Sequence, residues 1–150
     1  MERNQHEFVD RILRFWRGRG IPHLEGVTPA TLEAFERERN IWLPDEMKAF
    51  YLATNGLRVP GTSETDDRYY DFWPISELNL TPSAELEFAD VQQSAWTFSI
   101  ELKEAGAEPK GTVYVSLPAP IPIAPSFGSF IDLYIADDER LYPSSWYQGD

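Results

Sequence analysis

Few residues in this chain are of the types that do chemistry at a metal or a cofactor. The histidines are His6 and His23 alone, cysteine is absent, and neither histidine stands in an HxxxH or HxxE arrangement. Transition-metal sites draw on His and Cys, so a zinc site is not expected. Oxygen ligands for calcium are at hand in Glu64, Asp66, Asp67 and Asp71, but the EF-hand order with its central glycine is missing. There is no GxxxxGK[ST], and Gly18-Arg19-Gly20 lacks a third glycine and follows a helical pattern, so no nucleotide fingerprint is present. Ser126 lies in Ala-Pro-Ser-Phe-Gly, without the preceding glycine that a nucleophile elbow requires. Two histidines in polar segments give little material for a Ser-His-Asp triad. A glycosidase needs two carboxyl groups about 5–10 Å apart, one with a raised pKa. Sixteen acids after Pro60 always supply such pairs, so their number argues for nothing. Trp42, Trp73, Trp96 and Tyr70 have rings able to stack on a sugar, although strand aromatics ordinarily fill a core. The expectation is a protein with no catalytic residue, cofactor or metal, which works by binding.

Length and charge narrow the choice. The 150 residues suffice for one compact domain, as domains commonly run to about 100–150 residues, and a single domain over 1–150 is expected. A content of 42% hydrophobic and 14% aromatic residues supports a packed core and excludes wholesale disorder. No apolar run nears the roughly 20 residues of a membrane-crossing helix. Met1 to Gly20 mixes charged and apolar residues without the h-region of a signal peptide, so a cytoplasmic setting is expected. Charge is uneven: Met1–Pro60 holds nine basic and nine acidic residues, and Gly61–Asp150 holds four basic and sixteen acidic, so the whole net charge of −12 lies in the second part. Such a chain repels phosphate backbones and anionic bilayers, so neither direct nucleic-acid binding nor membrane binding is expected. It favours a basic partner; solubility alone is the other reading of the same acids.

The elements that must position these residues are legible in the spacing. Phe8, Ile12 and Phe15, with Val9, Leu13 and Trp16, form a helical stripe over Glu2–Arg17, backed by Arg11, Arg14 and Arg17 and stopped by Gly18. That basic helix either packs on the acidic body or meets a membrane or partner. Thr28-Pro29 starts a second helix carrying Leu32 and Phe35. Pro44 opens a third, with Asp45 and Glu46 in its first turn and Asn55-Gly56 closing it. Strands are expected over Tyr69–Trp73, Phe88–Val91, Ala95–Leu102 and Thr112–Leu117, with a turn around Gly106 and Glu108–Gly111. Pro118–Pro125 is read as a stiff connector, since its prolines bar a central strand. Ser126 caps a last helix whose stripe is Phe127, Phe130, Ile131, Tyr134 and Ile135. Asp137, Asp138 and Glu139 at its C-terminus oppose the helix dipole, and the tail with Trp146 and Tyr147 shows no periodicity. Helices, then strands, then a helix predict an α+β fold with an antiparallel sheet.

Four of these pieces, in order, resemble the SMI1/KNR4 (SUKH) superfamily. They are Leu32-Glu33-Ala34-Phe35-Glu36; Leu43-Pro44-Asp45-Glu46-Met47-Lys48-Ala49-Phe50-Tyr51 with Asn55-Gly56; Trp73-Pro74-Ile75-Ser76-Glu77-Leu78; and Ser126-Phe127-Gly128-Ser129-Phe130-Ile131. The likeness spans Thr28 to Ile135, within a domain core of about 28–138. Glu64–Trp73, Leu117–Pro125 and the tail after Asp138 depart from it, and are the segments expected to differ by partner. The resemblance implies a sheet flanked by N-terminal and C-terminal helices, and no enzymatic activity. It also implies an immunity protein that neutralises a cognate bacterial polymorphic toxin, such as a nuclease, or a regulatory interaction module as in fungal cell-wall synthesis.

A basic toxin domain is therefore the expected partner, met by a chain taken as a monomer. The residues expected to bind it are Glu64, Asp66, Asp67 and Asp71 in the acidic loop and Asp137, Asp138 and Glu139 at the helix end. Tyr69 and Tyr70 are the expected aromatic anchors. The competing readings are a regulatory scaffold without a toxin and, last, a carboxylate-pair glycoside hydrolase.

Overall fold

Among the described residues, three α-helices, a six-stranded antiparallel sheet and a fourth α-helix follow one another along the chain. The structure is a computed structural model and describes residues 6–57, 65–91, 96–102, 111–116 and 120–142. Helix α1 (Glu7–Gly18) buries Phe8, Val9, Ile12 and Trp16, the stripe its spacing predicts. Its basic face is turned in part to the chain's own acids. Arg11 donates to both carboxylate oxygens of Asp132 at 3.0 and 3.1 Å. Helix α2 (Pro29–Arg39) begins as expected, with Thr31 N donating to Thr28 Oγ1 and proline in the first turn.

Helix α3 (Asp45–Ala53) ends earlier than Asn55-Gly56 suggests, because Thr54 is already extended. The pair does a different job. Asn55 Oδ1 accepts from Ile75 N at 2.8 Å, and Gly56 adopts φ +91°, where a Cβ would lie 2.4 Å from Phe72 O. The close approach admits glycine alone and staples the helix end to the sheet.

The strands are β1 (Tyr70–Phe72), β2 (Asn79–Leu80), β3 (Glu85–Val91), β4 (Trp96–Glu101), β5 (Val113–Ser116) and β6 (Pro120–Ala124). They are ordered β1-β3-β4-β5-β6, and β2 also pairs with β3. Strand β3 begins three residues earlier than expected, and its register slips between Glu87 and Ala89. That bulge lets Phe88 and Ala89 both point to the core, which strict alternation forbids. Pro120–Ala124, expected as a connector, is an edge strand. Pro120 and Pro122 have no N–H, so an edge is the place where a sheet admits them. The expected features at Ala95, Gly106, Glu108–Lys110, Leu117, Trp146 and Tyr147 lie outside the described residues.

Helix α4 (Phe127–Ala136) covers one face of the sheet. Its Phe127, Phe130 and Tyr134 meet Phe88, Phe98 and Phe72 with ring centroids 5.3, 4.9 and 4.9 Å apart. Inclined ring pairs of this kind each add about 0.5–1.5 kcal/mol beyond the area they bury. Ser126 caps α4 through Ser129 N at 3.1 Å. Glu46, in the first turn of α3, also accepts from Gly128 N at 2.8 Å. One carboxylate thus serves the positive ends of two helices. A Cβ on Gly128 would stand 3.1–3.2 Å from that carboxyl group, so a larger residue there would push the carboxylate back by a few tenths of an ångström.

Candidate functional site

The loop Asp66–Asp71 and the end of α4 are far apart in sequence, and the fold brings them together. Asp66 is the hub. Its Oδ1 accepts from Arg68 N at 2.8 Å and Tyr70 N at 2.9 Å, and its Oδ2 accepts from the Tyr134 hydroxyl. Tyr134 in turn accepts from Trp16 Nε1 at 2.8 Å, so α1, the loop and α4 share one buried chain of hydrogen bonds. Burial, then the neighbouring Asp66 carboxylate, raises the Tyr134 pKa far above its ordinary value, which keeps the hydroxyl a donor.

Arg68 ties the other end. Its Nη2 donates to Tyr134 O and its Nη1 pairs with Asp137 Oδ1, both at 2.7 Å. Its guanidinium lies 4.9 Å from the centre of the Tyr134 ring and 5.5 Å from those of Phe15 and Tyr70. Partial burial opposes the charge, and Asp137, with Tyr134 and Asp66 behind it, outweighs that penalty, so the Arg68 pKa is raised. Asp137 takes the left-handed cap of α4 at φ 55° and also accepts from the Tyr142 hydroxyl. Arg68 thus compensates the Asp137 charge and Tyr142 satisfies its carboxylate, which eases the conflict with the dipole.

The expected site residues divide cleanly. Asp66, Tyr70 and Asp71 are buried, at 5%, 0% and 6% exposure, so they build the loop instead of meeting a partner at its surface. A backbone that must turn sharply next to a core strand needs internal acceptors, and Asp66 supplies them. Asp67, Tyr69, Asp137 and Glu139 are exposed and Asp138 is half-buried. Three of these acids are already paired: Asp67 with Arg19 at 2.7 Å, Asp137 with Arg68, and Asp138 with Arg140 at 3.1 Å. The Arg140 backbone N–H, followed by its guanidinium, holds the Asp138 pKa below the usual range. Glu64 lies outside the described residues.

Tyr69 stands apart. It is 62% exposed and its backbone is left-handed at φ 69°, a conformation that costs an ordinary side chain about 1–2 kcal/mol. Its N–H donates to Asp66 O at 3.2 Å, so the Asp66 hub holds it there. Arg68 and Tyr142 are not singled out by the sequence, and Trp16 and Tyr134 only as members of helical core stripes. The available signal was Arg68 itself, one of four cations in the acidic part of the chain.

The aromatic residues considered for sugar stacking are dispersed. Tyr70 is enclosed, Trp73 Nε1 donates to Asp90 at 2.9 Å, and Trp42 is half-exposed beside a cleft of about 350 Å3 lined also by Glu33, Glu36 and Arg37. The Glu36 carboxylate there already accepts from Leu43 N at 2.8 Å and faces Lys48 at 3.6 Å. Among the described residues, no group of three His, Asp or Glu side chains is placed to hold a metal ion, and no helix is long and apolar enough to cross a membrane.

An antiparallel sheet backed by one C-terminal helix, with N-terminal helices closing the core, defines an α+β protein. The sequence profile of the SMI1 / KNR4 family (SUKH-1) matches residues 26–133, most of the chain, and the chain belongs to that family. No curated protein matches it. The matched span holds the loop and Arg68, while Trp16, Arg19, Tyr134, Asp137 and Tyr142 lie just beyond it.

Proposed function

We propose that this chain is a non-enzymatic immunity protein of the cytoplasm that binds a basic toxin domain and blocks it. Tyr69 carries the reading. An exposed aromatic ring held in a disfavoured backbone conformation by a buried carboxylate is a prepared anchor, and strain of this kind gathers at functional positions. Tyrosine is among the residues that dominate interface energies. Asp67 in the same loop and Asp137, held by the neighbouring Arg68, with Asp138 and Glu139 next in sequence, supply acidic groups suited to the positive surface that a nuclease toxin needs to hold its substrate. The arginines that pair with Asp67 and Asp138 are themselves largely exposed, so a partner's cations can exchange with them at small net cost. Membership of the SMI1 / KNR4 family supports the reading at the level of the family.

The test is growth rescue by co-expression with the toxin domain encoded beside it, together with a binding measurement on the purified pair. The wild-type chain restores growth. Tyr69→Gly removes the anchor and the strain together, so it gains about 1 kcal/mol of stability and loses at least tenfold in affinity. A Tyr69→Gly protein that binds and protects as well as wild type overturns the assignment of the face. Absence of any complex with the toxin domain overturns the toxin and leaves a regulatory module.

A further inference from the structure

We propose that the sheet face turned away from α4 is a second docking surface, centred on Glu85, Glu87 and Glu101, for an extended Lys- or Arg-rich segment of a partner protein. The register puts these residues together. Leu86 pairs with Ile100 and Ile100 with Val113 on the buried face under α4. The alternate residues therefore project to the other side: Glu85 opposite Glu101, and Glu87 opposite Ser99, which in turn faces Tyr114. Like charges directly opposite destabilise a pair of strands, and among the described residues no cation pairs with either glutamate. None of the six strands contains a lysine or arginine. Among the described residues, none of the three carboxylates is in an ion pair.

Their polar contacts are neutral ones. Glu87 accepts from Asn79 Nδ2 at 2.8 Å and Glu101 from the Tyr114 hydroxyl at 3.4 Å. Burial, then Glu101 and Glu85, raises the Tyr114 pKa, as expected beside uncompensated anions. The contrast with the Tyr69 face is direct, since Asp67, Asp137 and Asp138 each hold an arginine of the chain. A second observation points to an occupant. Ser99 Oγ, in the row between Glu87 and Tyr114, is fully buried and has no hydrogen-bond partner, a hydroxyl whose donor and acceptor capacity are both unused. A lysine or guanidinium N–H entering between the half-exposed Glu87 and Tyr114 side chains would approach it with the Glu87 carboxylate alongside. Asp71 and Asp90 share this face but are buried and engaged within the chain, so they form its floor.

The experiment uses a fluorescein-labelled octalysine peptide and the full chain, with binding followed by anisotropy at low and physiological salt. Two triple variants carry the same change in net charge: Glu85→Gln/Glu87→Gln/Glu101→Gln on the sheet, and Asp67→Asn/Asp138→Asn/Glu139→Gln on the Tyr69 face. The sheet variant is expected to weaken binding about tenfold and the other less than about twofold. Ser99→Ala, which leaves net charge alone, is expected to weaken it several-fold. Equal weakening by the two triples reduces the effect to net charge and overturns the proposal, as does failure of the wild-type chain to bind at low salt. Single Glu85→Gln, expected to raise Tm by relieving the Glu101 repulsion, keeps the test open if the triple folds poorly. The surface is independent of the Tyr69 face, so either can fail without the other.

Discussion

Glu46 and Gly128 offer the sharpest test of how the fold is locked, because the structure fixes the sign of their coupling. Glu46→Ala removes the acceptor of Gly128 N–H, a charge-assisted bond of 2.8 Å that contributes about 1.5–3 kcal/mol. It also removes an anion from the first turns of α3 and α4, at about 0.3–1 kcal/mol each. A loss of about 3 kcal/mol follows, and with a urea slope of about 2 kcal/mol/M the midpoint falls by roughly 1.5 M. Gly128→Ala should gain up to about 1 kcal/mol from helix propensity alone. In the wild-type chain its new Cβ stands 3.1–3.2 Å from the Glu46 carboxyl group, which cannot retreat without lengthening the bond it makes to that same residue. The substitution is therefore destabilising in the wild type and stabilising in the Glu46→Ala background. Urea unfolding of the four proteins, followed by tryptophan fluorescence, gives the cycle. A Gly128→Ala effect of the same sign and size in both backgrounds would refute the reasoning.

Tyr134→Phe leaves Trp16 Nε1 and Asp66 each short of a buried partner, and a loss of about 3 kcal/mol is expected in urea unfolding; a loss below about 0.5 kcal/mol would show that the hub is not structural. Arg68→Gln gives up the Asp137 pair and compromises the bond to Tyr134 O, with about 2 kcal/mol expected at pH 7 and little further loss when Asp137→Asn is added. Burial raises the pKa values of Tyr51, Tyr70 and Tyr134 above their ordinary value of 10.0. Their contribution is thus fully present below pH 10 and is lost above it, because the unfolded chain sheds protons that the folded one retains. Stability should fall by about 4 kcal/mol per pH unit there, and the part of the tyrosinate absorbance that these three contribute should appear only together with unfolding.

Where local chemistry decides the structure, the residues announced it. Thr28-Pro29 and Ser126 cap the helices they were expected to cap, because a hydroxyl at an N-terminus needs no distant partner. The stripes of α1 and α4 follow from periodicity for the same reason. Asn55-Gly56 misled because its partners, Ile75 and Phe72, belong to a segment about twenty residues on, and nothing local reveals so close an approach. Strand β3 is longer than Phe88–Val91 because it extends through Glu85-Leu86-Glu87, where glutamates give little strand signal, and because the bulge that buries Phe88 and Ala89 in succession interrupts the alternation between the two halves. The acidic loop was visible as composition, but its division was not. Asp66 faces inward only because Tyr134 and Trp16 stand above it, and Asp137 is tolerable only because Arg68 arrives from the loop. Long-range pairing of this kind has no signature in spacing.

The two margins of the sheet also decide what a neighbour can do with it. At the β6 margin two of five residues lack an amide hydrogen. At the other, β1 and β2 are separated by the turn at Ile75–Glu77, and Tyr70 O and Phe72 O already accept from Asp66 N and Leu57 N. A foreign strand finds no unbroken ladder to copy, so templated fibre growth and the swapping of strands between copies are discouraged by backbone chemistry itself. Selection of who binds is left to side chains, which can be exchanged one at a time without disturbing the frame that carries them.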